Sequence, residues 1–166
     1  KPDWREIIEA VDSARKIPLA GNIPSVRFIL VDKPEVIADL AEAADHDFIA
    51  DAHFAVVVVS DTNDVVRSYD KRGKRYARQQ AGAAIENFIL KLTELKLGTC
   101  WIGAFADEQV KKILKIPEEC DVEAILPIGY PMIKGKMKPK PSIDRVLRFN
   151  DYESKFMKPR KEIDVH

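Results

Sequence analysis

Few side chains in this sequence are of the kinds that carry out chemistry by themselves. The histidines are His46, His53 and His166, the cysteines are Cys100 and Cys120, and no spacing among them resembles a zinc site. The sequence also has no phosphate-binding P-loop, no dinucleotide-binding glycine motif after a strand and no nucleophile-elbow serine. We therefore expect that, if the protein is an enzyme, a cofactor carries its reaction.

Two histidines invite a catalytic interpretation, and in both cases a simpler one is favoured. Asp45, His46 and Asp47 form an acid–histidine cluster, but three adjacent polar residues in a predicted loop are usually solvated. His53 directly precedes an apolar run and is expected to be structural.

The stretch LGTCWIGAF, residues 97–105, is the most unusual part of the sequence. It follows a long helical pattern and combines small residues with Trp101 and Phe105. One interpretation is a short strand that ends in an ordinary turn, with both aromatic residues in the core. The other is that a flat ligand lies against the backbone at Gly103 and Ala104, where small side chains allow a close approach. Taken alone, the stretch favours the turn.

Composition limits the class of protein. The chain has 166 residues, 46% hydrophobic and 33% charged, as expected for one globular domain. Its 27 basic residues equal its 27 acidic residues, which argues against a nucleic-acid partner. No apolar run is long enough for a membrane span, and no signal peptide is visible. Both cysteines lie in apolar segments, which predicts buried free thiols and a cytoplasmic, reducing location.

Hydrophobic periodicity predicts alternating helices and strands, and hence a three-layer α/β or α+β class. Helices are predicted at 3–15, with Asp3 as its cap, and at 34–44, 75–96 and 107–114. Strands are predicted at 26–31, 54–59, 122–128 and 145–149, and the run FAVVVV at 54–59 is typical of a central strand. The polar segment 61–74 is predicted to contain a loop, and a basic loop at 134–140 and a charged tail at 150–166 are also predicted.

The helix predicted at 75–96 is small or apolar on nearly every side between Ala81 and Leu90. Such a helix is buried on every side. In so small a domain, this predicts cover by a second subunit, and the alternative is a central core helix in a monomer. Glu86 on this helix either pairs across a dimer or reaches solvent.

Three segments together resemble the flavin-dependent nitroreductase family. Residues 18–22, PLAGN, leading to Arg27-Phe28, resemble its P-S-x-x-N-x-Q-P-W-x-F segment in spacing. Residues 80–87, QAGAAIEN, and then 97–105 resemble the helix and strand–loop of its short members. Residues 127–131, PIGYP, followed by KPKP at 138–141, resemble its closing strand, turn and basic loop.

The resemblance implies an α+β fold, with helices around a central, mostly antiparallel sheet, in an intertwined homodimer. It implies FMN at the subunit interface, NAD(P)H as co-substrate, and ping-pong reduction of nitroaromatics, quinones or similar flat acceptors. The alternative is a dimer of this fold that binds flavin or another ligand without turnover. Neither the natural acceptor nor a choice between NADH and NADPH follows from the resemblance.

The resemblance also implies which residues bind FMN, with no side chain acting as a general acid or base. The backbone N–H of Gly103 or Ala104 is expected near flavin N5, and Trp101 and Phe105 are expected to wall the pocket. The remaining expected contacts are Pro18, Leu19, Ala20, Asn22 and Ile102, with Lys138 and Lys140 at the phosphate.

Two departures from the family pattern accompany these expectations. No R-R-S-x-R segment, whose arginines hold the FMN phosphate in the family, is present. By alignment it would precede Lys1, so we expect either that this chain is a fragment or that the protein lacks this phosphate anchor. Leu19 stands where the family has serine, and Pro24-Ser25-Val26 replaces Q-P-W. We accordingly predict a nitroreductase-like domain over 1–149 and, over 150–166, a charged tail that is either disordered or packs on the partner subunit.

Overall fold

A computed structural model describes residues 1–132 and 138–157. The chain divides into two compact units, Lys1–Met132 and Ile133–His166. In the part described, no helix is both long and apolar enough to cross a membrane. The predicted basic loop at 134–140 and the tail at 150–166 lie partly outside the described residues.

The larger unit is built on a four-stranded sheet. Its strands are β1 (Val26–Val31), β2 (Phe54–Asp61), β3 (Gly98–Thr99) and β4 (Cys120–Gly129). Their order is β1-β2-β4-β3, and each neighbouring pair is antiparallel. Every residue of β2 except Asp61 is buried, as expected for a continuous apolar strand with a neighbour on each side. The predicted α+β fold with a mostly antiparallel sheet is confirmed.

Helices cover both faces of the sheet. The larger unit contains α1 (Trp4–Ala14), α2 (Pro34–Ala44), α3 (Asn63–Tyr69), α4 (Gly73–Glu94) and α5 (Asp107–Leu114). Short 3-10 turns occupy Ala20–Asn22, Asp47–Ile49 and Asp70–Arg72. The smaller unit contains α6 (Ile143–Val146).

The core consists of two apolar clusters separated by the sheet. On one face, α1 and α4 pack against alternate residues of β2 and β4, including Val56, Val58 and Leu126. On the other face, α2 and α5 pack against the intervening residues, including Val57 and Ile125. This alternation follows from the two-residue period of a strand, and it produces the expected three layers.

Two predicted elements are wrong. The segment 61–74, predicted to contain a loop, instead forms α3 and a 3-10 turn between β2 and α4, because Val65 is fully buried and anchors the helix. The strand predicted at 145–149 is absent from the described residues. Instead, the segment begins with a single helical turn, closed by the Leu147 N–H donating to the Ile143 carbonyl at 2.9 Å.

One burial prediction also needs correction. Cys120 is buried as expected, but Cys100 is exposed because it follows the last paired residue of β3.

Helix α4 is not buried on every side within one chain, in contrast to the alternative of a central core helix in a monomer. Its predicted cover by a second subunit stays a prediction. Ala83, Glu86 and Leu90 form an exposed stripe at helical spacing.

Candidate functional site

The loop that follows β3, residues 101–106, is held to the rest of the protein at both of its ends. The N–H of Ile102 donates to the Ile125 carbonyl at 3.1 Å, and the Ile125 N–H donates back at 3.0 Å. At the other end of the loop, the Ala106 N–H donates to the Ala43 carbonyl at 2.8 Å. The chain between these anchors therefore has little freedom and presents a fixed backbone.

Gly103 and Ala104 lie exposed between the two anchors. Within the described ranges, the backbone N–H of neither residue has a hydrogen-bond acceptor. A Cβ built on Gly103 would meet no atom within 4 Å, so the space above its backbone is open. Two unpaired backbone donors beside open space can donate hydrogen bonds to a ligand.

The other expected residues of this loop have different roles. The Ile102 side chain is buried against α2 and α5, and both of its backbone polar groups bind β4, so Ile102 anchors the loop. Phe105 packs partly into the same cluster. Trp101 is exposed, in contrast to the interpretation that places both aromatic residues in the core.

The segment 18–25 forms a second exposed turn. Gly21 and Asn22 have φ values of 58° and 57°, in the left-handed region that glycine and asparagine tolerate best. A Cβ on Gly21 would lie 2.6 Å from the Tyr69 hydroxyl, so glycine is also required for packing against α3. Pro18 and Asn22 are exposed, and Ala20 is half-buried.

A single side chain of α4 holds this segment. Gln80 is 4% exposed, and its Oε1 accepts from the Ala20 N–H at 2.7 Å. Its Nε2 donates to the Ser25 hydroxyl at 2.6 Å and to the Ile23 carbonyl at 3.3 Å. Gln80 therefore positions the turn, and the only sequence signal for this role was a glutamine directly before the apolar part of the helix.

Leu19, at the position of the family's serine, points toward the interior. It packs against the cluster that contains α1 and α4, and it lines a groove of about 240 Å³ together with Pro24 and Phe28. Lys138 and Lys140, in the smaller unit, are exposed. No hydrogen bond joins the segment 18–25 to the loop 101–106 among the described residues, because one is held by α4 and the other by β4 and α2.

Sequence reasoning did not identify Glu123. The register of β2 and β4 shifts between Val58 and Val59, and Glu123 is the extra residue of this β-bulge. Ile102 pairs with Ile125 of β4 in an antiparallel bridge. The residues that follow Ile102 therefore run along β4 in the direction of Glu123. Burial raises the pKa of the Glu123 carboxyl, and its Oε1 has no hydrogen-bond partner in the described part of the chain.

A shallow cleft lies at the other end of β4. Its volume is about 400 Å³, and its lining includes Phe48 and Asp51, the stretch Gly98–Cys100, and Tyr130. The hydroxyl of Thr99 is buried there without a hydrogen-bond partner among the described residues. The cleft contains none of the residues that the sequence analysis expected to bind a cofactor.

Comparison with known proteins agrees with this fold. The model of the nitroreductase family matches residues 41–130, which is more than half of the chain. The matched region runs from the end of α2 through β4, so it includes the loop 101–106 and excludes the segment 18–25.

Individual relatives extend the match. A protein of Methanocaldococcus jannaschii, provisionally named a nitroreductase, is 39% identical over 51% of this chain and 43% of its own length. A protein of Archaeoglobus fulgidus, provisionally named an NADH dehydrogenase/NAD(P)H nitroreductase, is 29% identical over 76% of this chain and 72% of its own. The chain thus spans less than half of the first relative.

A solved structure supports the fold across nearly the whole chain. The FMN-dependent nitroreductase of Clostridium difficile R20291 superposes with a TM-score of 0.76 at 22% identity, covering 92% of this chain and 90% of that one. At 22% identity, the superposition is evidence for a shared fold only. Together with the family match over residues 41–130, it shows that the chain belongs to the nitroreductase family.

Proposed function

We propose that this protein is an FMN-dependent oxidoreductase that uses NAD(P)H to reduce flat acceptors such as nitroaromatics or quinones. The observation that carries the proposal is the pair of free backbone donors at Gly103 and Ala104, held between two anchors beside open space. Membership of the nitroreductase family and the names of the relatives described above support it.

When bound, FMN would accept hydride from NAD(P)H and pass electrons to the acceptor. The residues of this chain would bind and orient it. The N–H groups of Gly103 and Ala104 would donate to the polar edge of the ring, and exposed Trp101 would shield it from water. Pro18, Leu19, Ala20 and Asn22 would cover another part, mostly through main-chain groups. In this proposal, no side chain of the protein acts as a general acid or base.

Lys138 and Lys140 would provide positive charge for the FMN phosphate. Lysine suits this role as a mobile point charge with three donors. Both lysines are exposed and therefore open to a ligand.

We further propose that the working unit is a homodimer. Large apolar side chains are exposed on two helices that pack together, namely Trp4 (56%) and Ile8 (48%) on α1 and Leu90 (57%) on α4. A second copy of the chain would bury them. It would also bring its own segment 18–25 toward a loop 101–106 that the single chain leaves open.

The first experiment is a visible spectrum of the purified protein with and without added FMN, followed by anaerobic addition of NADH and of NADPH. We expect flavin absorbance that is retained on gel filtration and bleached by at least one coenzyme, then restored by a quinone. Bound flavin that neither coenzyme bleaches would instead indicate a flavin-binding dimer without turnover. Absence of flavin binding would contradict the proposal.

A further inference from the structure

The start of α4 carries an unusual concentration of positive charge. Residues 71–78, KRGKRYAR, contain five cations and no acid, although the whole chain has equal numbers of basic and acidic residues. We call Lys71, Arg72, Lys74, Arg75 and Arg78 the cationic patch. Such a cluster creates a local positive potential that attracts anions.

All five side chains of the cationic patch are exposed. Among the residues described, none of the five forms a salt bridge, whereas Arg67 one turn earlier pairs with Asp64 at 3.3 Å. Lys74, Arg75, Arg78 and Gln79 line a shallow groove of about 450 Å³. The patch thus offers free donors around a concave surface.

The part of the chain that carries the patch is held in a fixed position, and its other face contacts the segment 18–25. Gly73 packs so closely on the backbone of Val66 that a Cβ would overlap its Cα. The rings of Tyr69 and Tyr76 meet edge to face, with centroids 5.2 Å apart, and the Tyr69 hydroxyl lies against Gly21. One turn further along α4, Gln80 holds the same segment.

The electrostatic influence of the patch extends to β4. Arg78 opposes the effect of burial on the pKa of the Glu123 carboxyl. Glu123 is the bulge residue of β4, two positions from the Ile125 that pairs with Ile102 of the loop 101–106. The charge of the patch therefore acts on the strand that holds the loop.

We propose that the cationic patch binds the phosphates of the nicotinamide coenzyme and selects NADPH over NADH. This inference rests on the proposed function, because it assumes that the coenzyme approaches the site. The 2′-phosphate of NADPH adds about 1.5 to 2 negative charges at neutral pH, which NADH lacks. Exposed arginines and lysines hold phosphate by charge-assisted hydrogen bonds that water and salt weaken. That suits a coenzyme that must leave after every turnover.

The test is direct binding of NADP⁺ and NAD⁺ by isothermal titration calorimetry at low and at physiological ionic strength. The variants are Lys74→Glu/Arg75→Glu and the milder Lys74→Gln/Arg75→Gln. Lys33→Glu/Lys112→Glu, at exposed positions directly before α2 and on α5, changes the net charge by the same amount as the first variant. FMN affinity is measured in parallel by fluorescence quenching.

We expect the unaltered protein to bind NADP⁺ about tenfold more tightly than NAD⁺, the effect of two or three exposed charge contacts. Charge reversal in the patch should abolish the preference for NADP⁺. In the Gln variant, the logarithm of the ratio of the two dissociation constants should fall by half. The control and the FMN affinity should change by less than about twofold. Raised salt should reduce the preference in the unaltered protein.

Equal binding of the two nucleotides by the unaltered protein, or a preference that survives charge reversal, would overturn the inference. A loss of FMN affinity in the patch variant alone would also overturn it, by assigning the patch to FMN. Selective NADP⁺ binding without bleaching of bound flavin would contradict the proposed function and leave the patch assignment intact. Bleaching of the bound flavin, together with equal affinity for NADP⁺ and NAD⁺, would support the proposed function and contradict the patch assignment.

Discussion

At the scale of single residues, Gly103 combines an unused backbone donor with an open approach. Replacing Gly103 with Val places a branched side chain in space that no protein atom occupies within 4 Å of the Cβ position. We therefore expect the melting temperature to change by less than about 3 °C, since nothing in the fold is displaced. FMN affinity should fall by about tenfold or more, because the branched side chain would keep the ring edge from the backbone.

The matched control is Ala38→Val, which adds a branched side chain at an exposed position of α2. Thermal unfolding and fluorescence titration with FMN are measured on both variants. Unchanged FMN affinity in Gly103→Val would place the flavin elsewhere.

We predict that the ionised carboxylate of Glu123 lowers the free energy of unfolding at neutral pH. Burial raises the pKa of its carboxyl in the folded state, opposed by Ser60 and Arg78, while Asp121 and Asp107 add to the increase. A raised folded-state pKa means that the folded protein binds the proton more tightly, so the stability associated with Glu123 falls as pH rises through that pKa. Glu123→Gln should therefore be more stable by about 0.5–1 kcal/mol at pH 7.5 and nearly unchanged at pH 4.

Urea unfolding at both pH values measures this difference. Exposed Glu118→Gln, just before β4, is the control and should show little difference at either pH. A gain for Glu123→Gln that was equal at pH 4 and pH 7.5 would attribute the effect to packing and not to ionisation.

At the scale of elements, α4 organises the segment 18–25 through Gln80. Gln80→Ala leaves the buried Ser25 hydroxyl and the Ala20 N–H without their partners. We expect a loss of about 2–3 kcal/mol in the free energy of unfolding, the cost of buried polar groups left unpaired. The freed segment should also exchange its amide hydrogens faster, and FMN should bind more weakly.

The same substitution at Gln109, an exposed glutamine on α5, controls for the loss of side-chain atoms. Urea unfolding and hydrogen exchange of peptides that cover residues 18–25 provide the measurements. Equal stability of the two variants would mean that the segment does not depend on Gln80.

At the scale of the whole molecule, the exposed apolar side chains of α1 and α4 predict association. Leu90→Glu places a charge where a second copy is proposed to pack, and Leu90 is 57% exposed in the single chain. We expect the dimer to weaken by at least about tenfold, since burying an unpaired charge is costly. The fold of each chain should persist, because the side chain of Leu90 is not part of its core. Sedimentation velocity over a range of concentrations measures the change.

Ala38→Glu, which adds the same charge on α2 across the sheet, should leave the dimer unchanged. A monomeric unaltered protein, or an unaltered dimer in Leu90→Glu, would contradict the assignment of this surface.

Much of the fold was predictable because periodic burial is local in sequence. The strand boundaries at 26–31 and the helix boundaries at 34–44 agree exactly with the structure, and the continuous apolar run at 54–59 lies within the central strand. The predictions failed where one long-range contact decides the outcome. The polar segment 61–74 is helical because Val65 reaches the core, and no local pattern revealed that contact.

The candidate site divides in the same way. Small residues at 103–104 and the left-handed pair Gly21-Asn22 were evident from residue types, since glycine and asparagine tolerate conformations that other residues avoid. The roles of Gln80 and Glu123 were not evident, since one depends on contacts with residues 55 or more positions away and the other on a shift in strand register.

The sequence by itself thus determined the layers, the central strand and the family resemblance, because each depends on patterns repeated along a short stretch of chain. Only the tertiary structure decided which donors remain free, which glutamine positions the turn, and that the part of the chain carrying the cations of residues 71–78 contacts it. Those properties depend on which distant segments meet. A hydrogen-bond partner, a bulge or a neighbouring charge is defined by position in space and not by position in sequence.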